Sequence, residues 1–167
     1  MQLVKEVIID APADKVWAVV GENYSSVGDW ASIINVSGAR VSDSGKLEGR
    51  TCESTYGSVK EMLTHYDEDE RVLSYQADGL PAMFKEGGNT WRVERLDANH
   101  TRVTMDLRMK FALIPGFFMG WMIKGKMNKD TDQLMQDLKH FVETGRPTKA
   151  KKDSDAKFHK KKGKAAA

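Results

Sequence analysis

Between residues 101 and 111 apolar side chains take every second position: Val103, Met105, Leu107, Met109 and Phe111 alternate with Thr104, Asp106, Arg108 and Lys110. A period of two with one apolar face predicts a strand in a sheet that is buried on one side and wet on the other. Shorter β-branched or alternating runs predict strands over residues 3–9, 33–42, 49–56, 58–67, 71–78 and 88–97. Acidic turns such as Asp67-Glu68-Asp69-Glu70 and Asp97-Ala98-Asn99-His100 separate some of them, and turns this short join antiparallel neighbours.

The period changes to helical at two places. After the first strand, Pro12 suits an opening helical turn and Asp14 suits its dipole, while Ala13, Val16, Trp17 and Val20 make a narrow apolar stripe. Asn23 to Ser32 predicts a second short helix or an irregular turn. From Pro115 to Gly145 a long amphipathic helix is expected, with Phe118, Met122, Met127, Thr131, Leu134, Leu138 and Phe141 near one face. Gly145-Arg146-Pro147 should stop it. The predicted order is β-α-α-β-β-β-β-β-β-α, an α+β arrangement.

Composition narrows the class. The 167 residues are 40% hydrophobic and 30% charged, as in one globular domain of ordinary size. The single cysteine, Cys52, excludes an intramolecular disulfide and fits a reducing compartment. Charges in Met1–Glu6 stand where a signal peptide needs an apolar run, so a cytoplasmic location is expected. The net charge of +2 averages two unlike regions: residues 1–145 hold 17 basic and 22 acidic side chains, residues 146–167 nine basic and two acidic. The division predicts a globular domain over 1–145 and a lysine-rich tail over 146–167, too poor in apolar residues to pack and hence disordered.

Several segments together resemble a known superfamily: Ile8-Ile9-Asp10-Ala11-Pro12-Ala13-Asp14-Lys15-Val16-Trp17, Asp29-Trp30, Asp67 to Tyr75, Thr90-Trp91-Arg92-Val93 and Thr101-Arg102-Val103-Thr104. In this order and spacing they are similar to the START-like, or helix-grip (SRPBCC), superfamily, and within it to the polyketide cyclase/dehydrase and lipid-transport group. The resemblance covers about residues 1–145. It implies a curved seven-stranded antiparallel sheet wrapped around a long C-terminal helix, with two short helices after the first strand and a cavity for an apolar ligand. It fixes the fold better than the function, because the superfamily includes carriers, receptors and enzymes.

Methionines and aromatics spread over strands, loop and terminal helix suit a wall that adapts to its guest. The expected ligand contacts are Trp30, Glu61, Leu63, Tyr75, Met83, Phe84 and Trp91, then Met105, Leu107, Met109, Phe118 and Met122. Residues 79–88 carry Leu80, Met83 and Phe84 between glycines, as a lid over a portal would, or as a long hairpin capping the barrel end. Phe117 to Ile123 is apolar nearly all round, which suggests a portal edge or a membrane-touching rim. In strand 58–67 parity groups Glu61 with Val59, Leu63 and His65, although Met62 and Tyr66 offer an alternative buried face. The resemblance implies that a glutamate at the place of Glu61 can meet a ligand's polar group. A carboxylate in an apolar pocket can exchange protons, with His65 or Tyr75 as partners.

The expectation is therefore reversible binding, and possible transport, of a lipid, isoprenoid or aromatic polyketide-like molecule. The alternative is a cyclase, aromatase or dehydratase using Glu61 for proton transfer. No phosphate-binding Gly loop, zinc-spaced His/Cys set or nucleophile elbow occurs in the sequence, so neither a cofactor nor a metal is expected. Apart from the small molecule, the expected partners are weak ones: an anionic membrane or a nucleic acid touching the lysine tail. No specific protein partner is predicted.

Overall fold

The computed structural model describes residues 1–54, 57–112 and 117–165, the side chains of 117–120 and 164–165 excepted. Strands β1 (Gln2–Ile9), β2 (Ile34–Val41), β3 (Leu47–Ser54), β4 (Gly57–Asp67), β5 (Val72–Asp78), β6 (Phe84–Arg95) and β7 (Thr101–Phe111) form one sheet. It is antiparallel throughout, in the order β1-β7-β6-β5-β4-β3-β2. The strong alternation of β7 is matched by its burial, with Thr101, Val103, Met105 and Met109 inside.

Between β1 and β2 the chain forms α1 (Ala13–Trp17), one π-helical turn (Ala18–Glu22) and a 3-10 segment (Tyr24–Asp29). Trp17, Tyr24, Val27 and Trp30 from this region close one end of the sheet's concave face. The long helix α2 (Phe117–Thr144) crosses that face. Thr131, Leu134, Met135, Leu138 and Val142 are buried, a stripe at helical spacing that fills the curve. Its expected start at Pro115 lies outside the described residues. Gly145 ends it at φ +69°, and the Gly145 N–H donates to the Phe141 carbonyl at 2.8 Å. A left-handed residue without a Cβ is what this kind of stop requires.

Through residue 165 the lysine-rich segment, expected to be disordered, carries regular structure. Lys149–Ala165 forms a helix, α3, lying against β2. Its anchors are polar, and composition arguments about apolar burial do not see them. Buried Lys151 donates from Nζ to the Ile34 carbonyl at 2.8 Å and to Asp155 Oδ1 at 2.6 Å. Asn35 Nδ2 donates to Ser154 Oγ at 3.0 Å. At the start of α3 the Lys151 N–H donates to Thr148 Oγ1, while the Thr148 hydroxyl donates to Asp137 Oδ1 of α2. Asp137 is wholly buried and also accepts from the Ser32 N–H at 2.7 Å, so α2, α3 and the entry to β2 meet at one carboxylate. Hydrogen bonds to a buried ionised group are the strong kind, which is why so few apolar side chains suffice.

Candidate functional site

A cavity of about 170 Å³ lies between the sheet and α2. Its walls are mostly apolar, with Val59, Ala77, Met105, Leu107 and Met109 from the strands and Met127 and Leu134 from α2. Leu80 and Pro81 of the loop after β5, together with Phe84, stand at its mouth, and Asp130 of α2 also lines it. A smaller space of about 50 Å³ continues inward among Val20, Tyr24, Val27, Trp30 and Trp91. The two share Ile33, Ile34, Glu61, Tyr75 and Leu134 as a partition. A dry cavity of about 150 Å³ can hold a benzene-sized guest, so the larger space takes a compact ring in this conformation. The outer face of the sheet bears a wider groove of about 930 Å³, lined by Ser74, Thr90, Arg92, Asp106 and Arg108 among others. It is polar and open, and offers no apolar enclosure.

The partition carries the charged chemistry. Arg50 and Glu61 are direct cross-strand partners in the β3–β4 pairing, and both side chains point inward. Arg50 Nε donates to Glu61 Oε2 at 2.5 Å, and Arg50 Nη1 donates to the Tyr24 carbonyl at 2.6 Å. The Tyr24 hydroxyl donates to the same Glu61 Oε2 at 3.1 Å. The guanidinium lies over the Tyr24 ring, 4.0 Å from its centroid, and faces the Tyr75 ring at 5.3 Å. Asn89 Nδ2 donates to the Tyr75 hydroxyl at 3.3 Å. Among the described residues the buried Asn89 Oδ1 has no partner.

This packing depends on Gly49, whose strand neighbour is Met62. A Cβ there would sit 2.0 Å from the Glu61 carbonyl oxygen, so any side chain would force β3 and β4 apart beside the ion pair. Burial alone would lower the Arg50 pKa, but the adjacent Glu61 carboxylate outweighs it and the guanidinium is held charged. Burial pushes the Tyr24 and Tyr75 phenols well above their ordinary range, with Glu61 adding to both. Both therefore stay neutral donors at neutral pH. Burial also pushes the Cys52 thiol up to about 12, and Asp130 is raised for the same reason.

Of the residues expected from sequence, Glu61 and Tyr75 line both spaces, and Phe84, Met105, Leu107 and Met109 line the larger. Trp30 and Trp91 line the smaller. Leu63 packs against the core without reaching either cavity. Met83 and Met122 are exposed, and the Phe118 side chain lies outside the described residues. The loop expected over 79–88, as a lid or a capping hairpin, is shorter: β6 begins at Phe84, and Gly87 and Gly88 pair within the sheet instead of serving as hinges. Gly87 leaves room for Met109 and Leu80, since a Cβ there would meet the Met109 sulfur at 2.7 Å.

His65 is exposed, because a bulge between Leu63 and His65 reverses the parity of β4. Val59 and Glu61 face inward before it, whereas after it the partly covered Tyr66 turns to the Trp17 ring at 5.5 Å. Tyr66, although 40% exposed, is the register partner of buried Leu73, so the inward side of the strand switches parity at the bulge. Sequence reasoning missed Arg50, Tyr24 and Asn89. A register signal for Arg50 existed: pairing Ser54 with Gly57 places it opposite Glu61.

The family model described as "Polyketide cyclase / dehydrase and lipid transport" matches residues 1–143. No curated protein matches the sequence significantly. Among solved structures, a START superfamily protein from Mycobacterium smegmatis is similar with a TM-score of 0.69 at 17% identity, covering 85% of this chain and 97% of that one. The Zhui aromatase/cyclase from Streptomyces sp. R1128 also has a TM-score of 0.69, at 15% identity over 86% of this chain and 93% of its own. A Thermus thermophilus protein reaches 0.70 at 14% identity, over 87% and 99%. Likenesses at these identities establish the shared fold.

Proposed function

The chain belongs to the polyketide cyclase/dehydrase and lipid transport family, and from that premise we propose that it reversibly binds a small, largely apolar molecule between the sheet and α2. The observation that carries this reading is a half-open apolar cavity whose lining includes Glu61, Tyr75 and Asn89 from one polar cluster. Apolar contact supplies roughly 25 cal/mol per Å² buried, and Tyr75, Asn89 and the Arg50–Glu61 pair orient one polar group of the guest. The volume favours a guest that presents one or two rings to the inner end. A longer chain would leave through the mouth by Leu80 and Met127.

The test is calorimetric titration of the full chain with indene, a compact fused ring that suits a space of about 170 Å³, beside an Ala77→Phe variant that fills the cavity. Saturable one-to-one binding that is lost in the folded variant supports the reading. Binding that Ala77→Phe leaves unchanged refutes it. Native mass spectrometry of freshly purified protein would identify a ligand that copurifies.

The polar cluster favours a second reading, a cyclase- or dehydratase-type enzyme. A guanidinium held charged and a neutral phenol at the end of an apolar tunnel suit a polarised carbonyl oxygen, with Glu61 as proton acceptor. For an enzyme, Glu61→Gln abolishes turnover of a poly-β-ketone test substrate while indene affinity stays nearly unchanged. For a binder, affinity is the only property that variant can alter.

A further inference from the structure

Large apolar side chains stand in solvent on the segments that adjoin the cavity-lining residues, a rim made of the start of α2 and the loop before β6. Trp121 is 77% exposed, Met122 63% and Met83 40%. Trp121 and Met122 lie on α2 one to two turns before Met127, which lines the cavity, and Met83 follows Leu80 and Pro81 at its mouth. The lysine-rich end of α3 also comes close to the cavity lining: Lys162 pairs with Glu53 at 2.7 Å, and Glu53 adjoins Ser54, a lining residue.

Helical spacing sorts α3 into two faces. Lys151, Ser154, Asp155 and Phe158 turn toward β2, buried or half-buried, while Lys149, Lys152, Lys157, Lys160 and Lys161 are exposed on the other side. The α3 helix holds eight lysines and two aspartates, whereas residues 1–145 hold 17 basic and 22 acidic side chains. An anionic surface therefore attracts the α3 side of the molecule and repels the rest.

We propose that this rim is a docking surface for an anionic lipid membrane. Trp121 and Met122 enter the interfacial layer, and the outer lysines of α3 lie over the headgroups. Neither signal suffices alone: an exposed tryptophan and methionine bury little area, and a lysine row is a screened, reversible attraction. Together they meet the two-signal requirement for peripheral attachment. Nucleic acid fits less well, because the half-buried Phe158 ring of α3 is covered by Lys162 and met edge-on by His159 instead of offering an open stacking platform. Docking goes beyond the cavity reading and is measured without any cavity ligand, so either can fail alone.

The experiment is cosedimentation of the full chain with phosphatidylcholine vesicles and with phosphatidylcholine–phosphatidylglycerol vesicles, at low and high salt. Binding to the mixed vesicles is expected to weaken with salt. Replacing Lys157, Lys160 and Lys161 together by glutamine, a comparable helix former, should lower affinity roughly a hundredfold, about fivefold per lysine. Trp17, Trp30 and Trp91 are buried, so vesicles should blue-shift the emission of Trp121, and Trp121→Ser should abolish that shift and weaken binding. Equal partition onto neutral vesicles, unchanged binding by the folded lysine variant, or tighter binding to an oligonucleotide at matched salt would each overturn the proposal.

Discussion

Replacing Arg50 by methionine keeps most of its volume but removes the cation beside Glu61. The two side chains are only 7% and 10% exposed, and the pair closes at 2.5 Å. At that burial the carboxylate would keep the Tyr24 hydroxyl as its partner in the cluster, at 3.1 Å. Breaking a buried pair by removing one member costs about 3–5 kcal/mol, because the remaining charge is stranded away from water. Glu61→Leu should cost less, toward the lower end of that range, since Arg50 retains the Tyr24 carbonyl at 2.6 Å and the Tyr24 ring at 4.0 Å. The double variant Arg50→Met/Glu61→Leu strands neither charge and should lie within about 1 kcal/mol of the parent, or above it. Urea unfolding followed by far-ultraviolet circular dichroism reads these differences, with a constant m-value as the check. Each kcal/mol should appear as a shift of roughly 2–4 °C in the thermal midpoint. If the single variants cost under about 1 kcal/mol, as an exposed pair would, the pair is solvated and the polar partition has been misread. A double variant as unstable as the worse single one would equally refute the reasoning.

Three further outcomes follow from other parts of the molecule. Leu138→Ala, at a wholly buried position, should cost about 2–5 kcal/mol. Leu107→Ala, at a partly buried position with empty space on one side, should cost clearly less in the same denaturation assay. Cys52 titrates at about 12 in the fold against 9.0 for a free thiol, so the fold favours its neutral form. That contribution is complete below pH 9.0 and is lost as pH rises toward about 12; the raised Tyr24 and Tyr75 act in the same direction. The melting temperature should therefore fall on the alkaline side, and a thiol reagent at neutral pH should label Cys52 only when urea is added. Lys151→Met should loosen α3 and accelerate amide hydrogen exchange at the start of β2 while leaving β6 and β7 protected; uniform exchange in both regions would mean that α3 does not depend on that ammonium.

Regular burial was readable before any coordinates. The alternation of β7, the short acidic turns and the helical stripe around Leu134 and Leu138 each answer to one geometric period, and the strands and the long helix follow from them. Parity grouped Glu61 with Val59 and Leu63 but left the opposite face of that strand open, and Tyr75 was marked only as an aromatic on a neighbouring strand. What escaped depends on exceptions to a period. The bulge before His65 has no residue signature, so the exposure of that histidine could not be read from spacing. Arg50 reads locally as a wet-face residue, and only its register partner explains why it is buried. The docking of α3 escaped because its anchors are an ammonium on a carbonyl and an amide on a hydroxyl, and hydropathy assigns these groups to water.

Lys151 on the Ile34 carbonyl of β2 has a counterpart across the sheet, where Lys139 of α2 donates to the Ile8 carbonyl of β1 at 2.7 Å. Each outermost strand is thus guarded by a cation reaching over from a helix. A neighbouring molecule seeking to extend the ribbon would have to displace an ammonium before its first inter-chain bond could form at either place. One carbonyl on each outer strand is thus already satisfied from within the molecule, which removes one point at which a second ribbon could begin to pair.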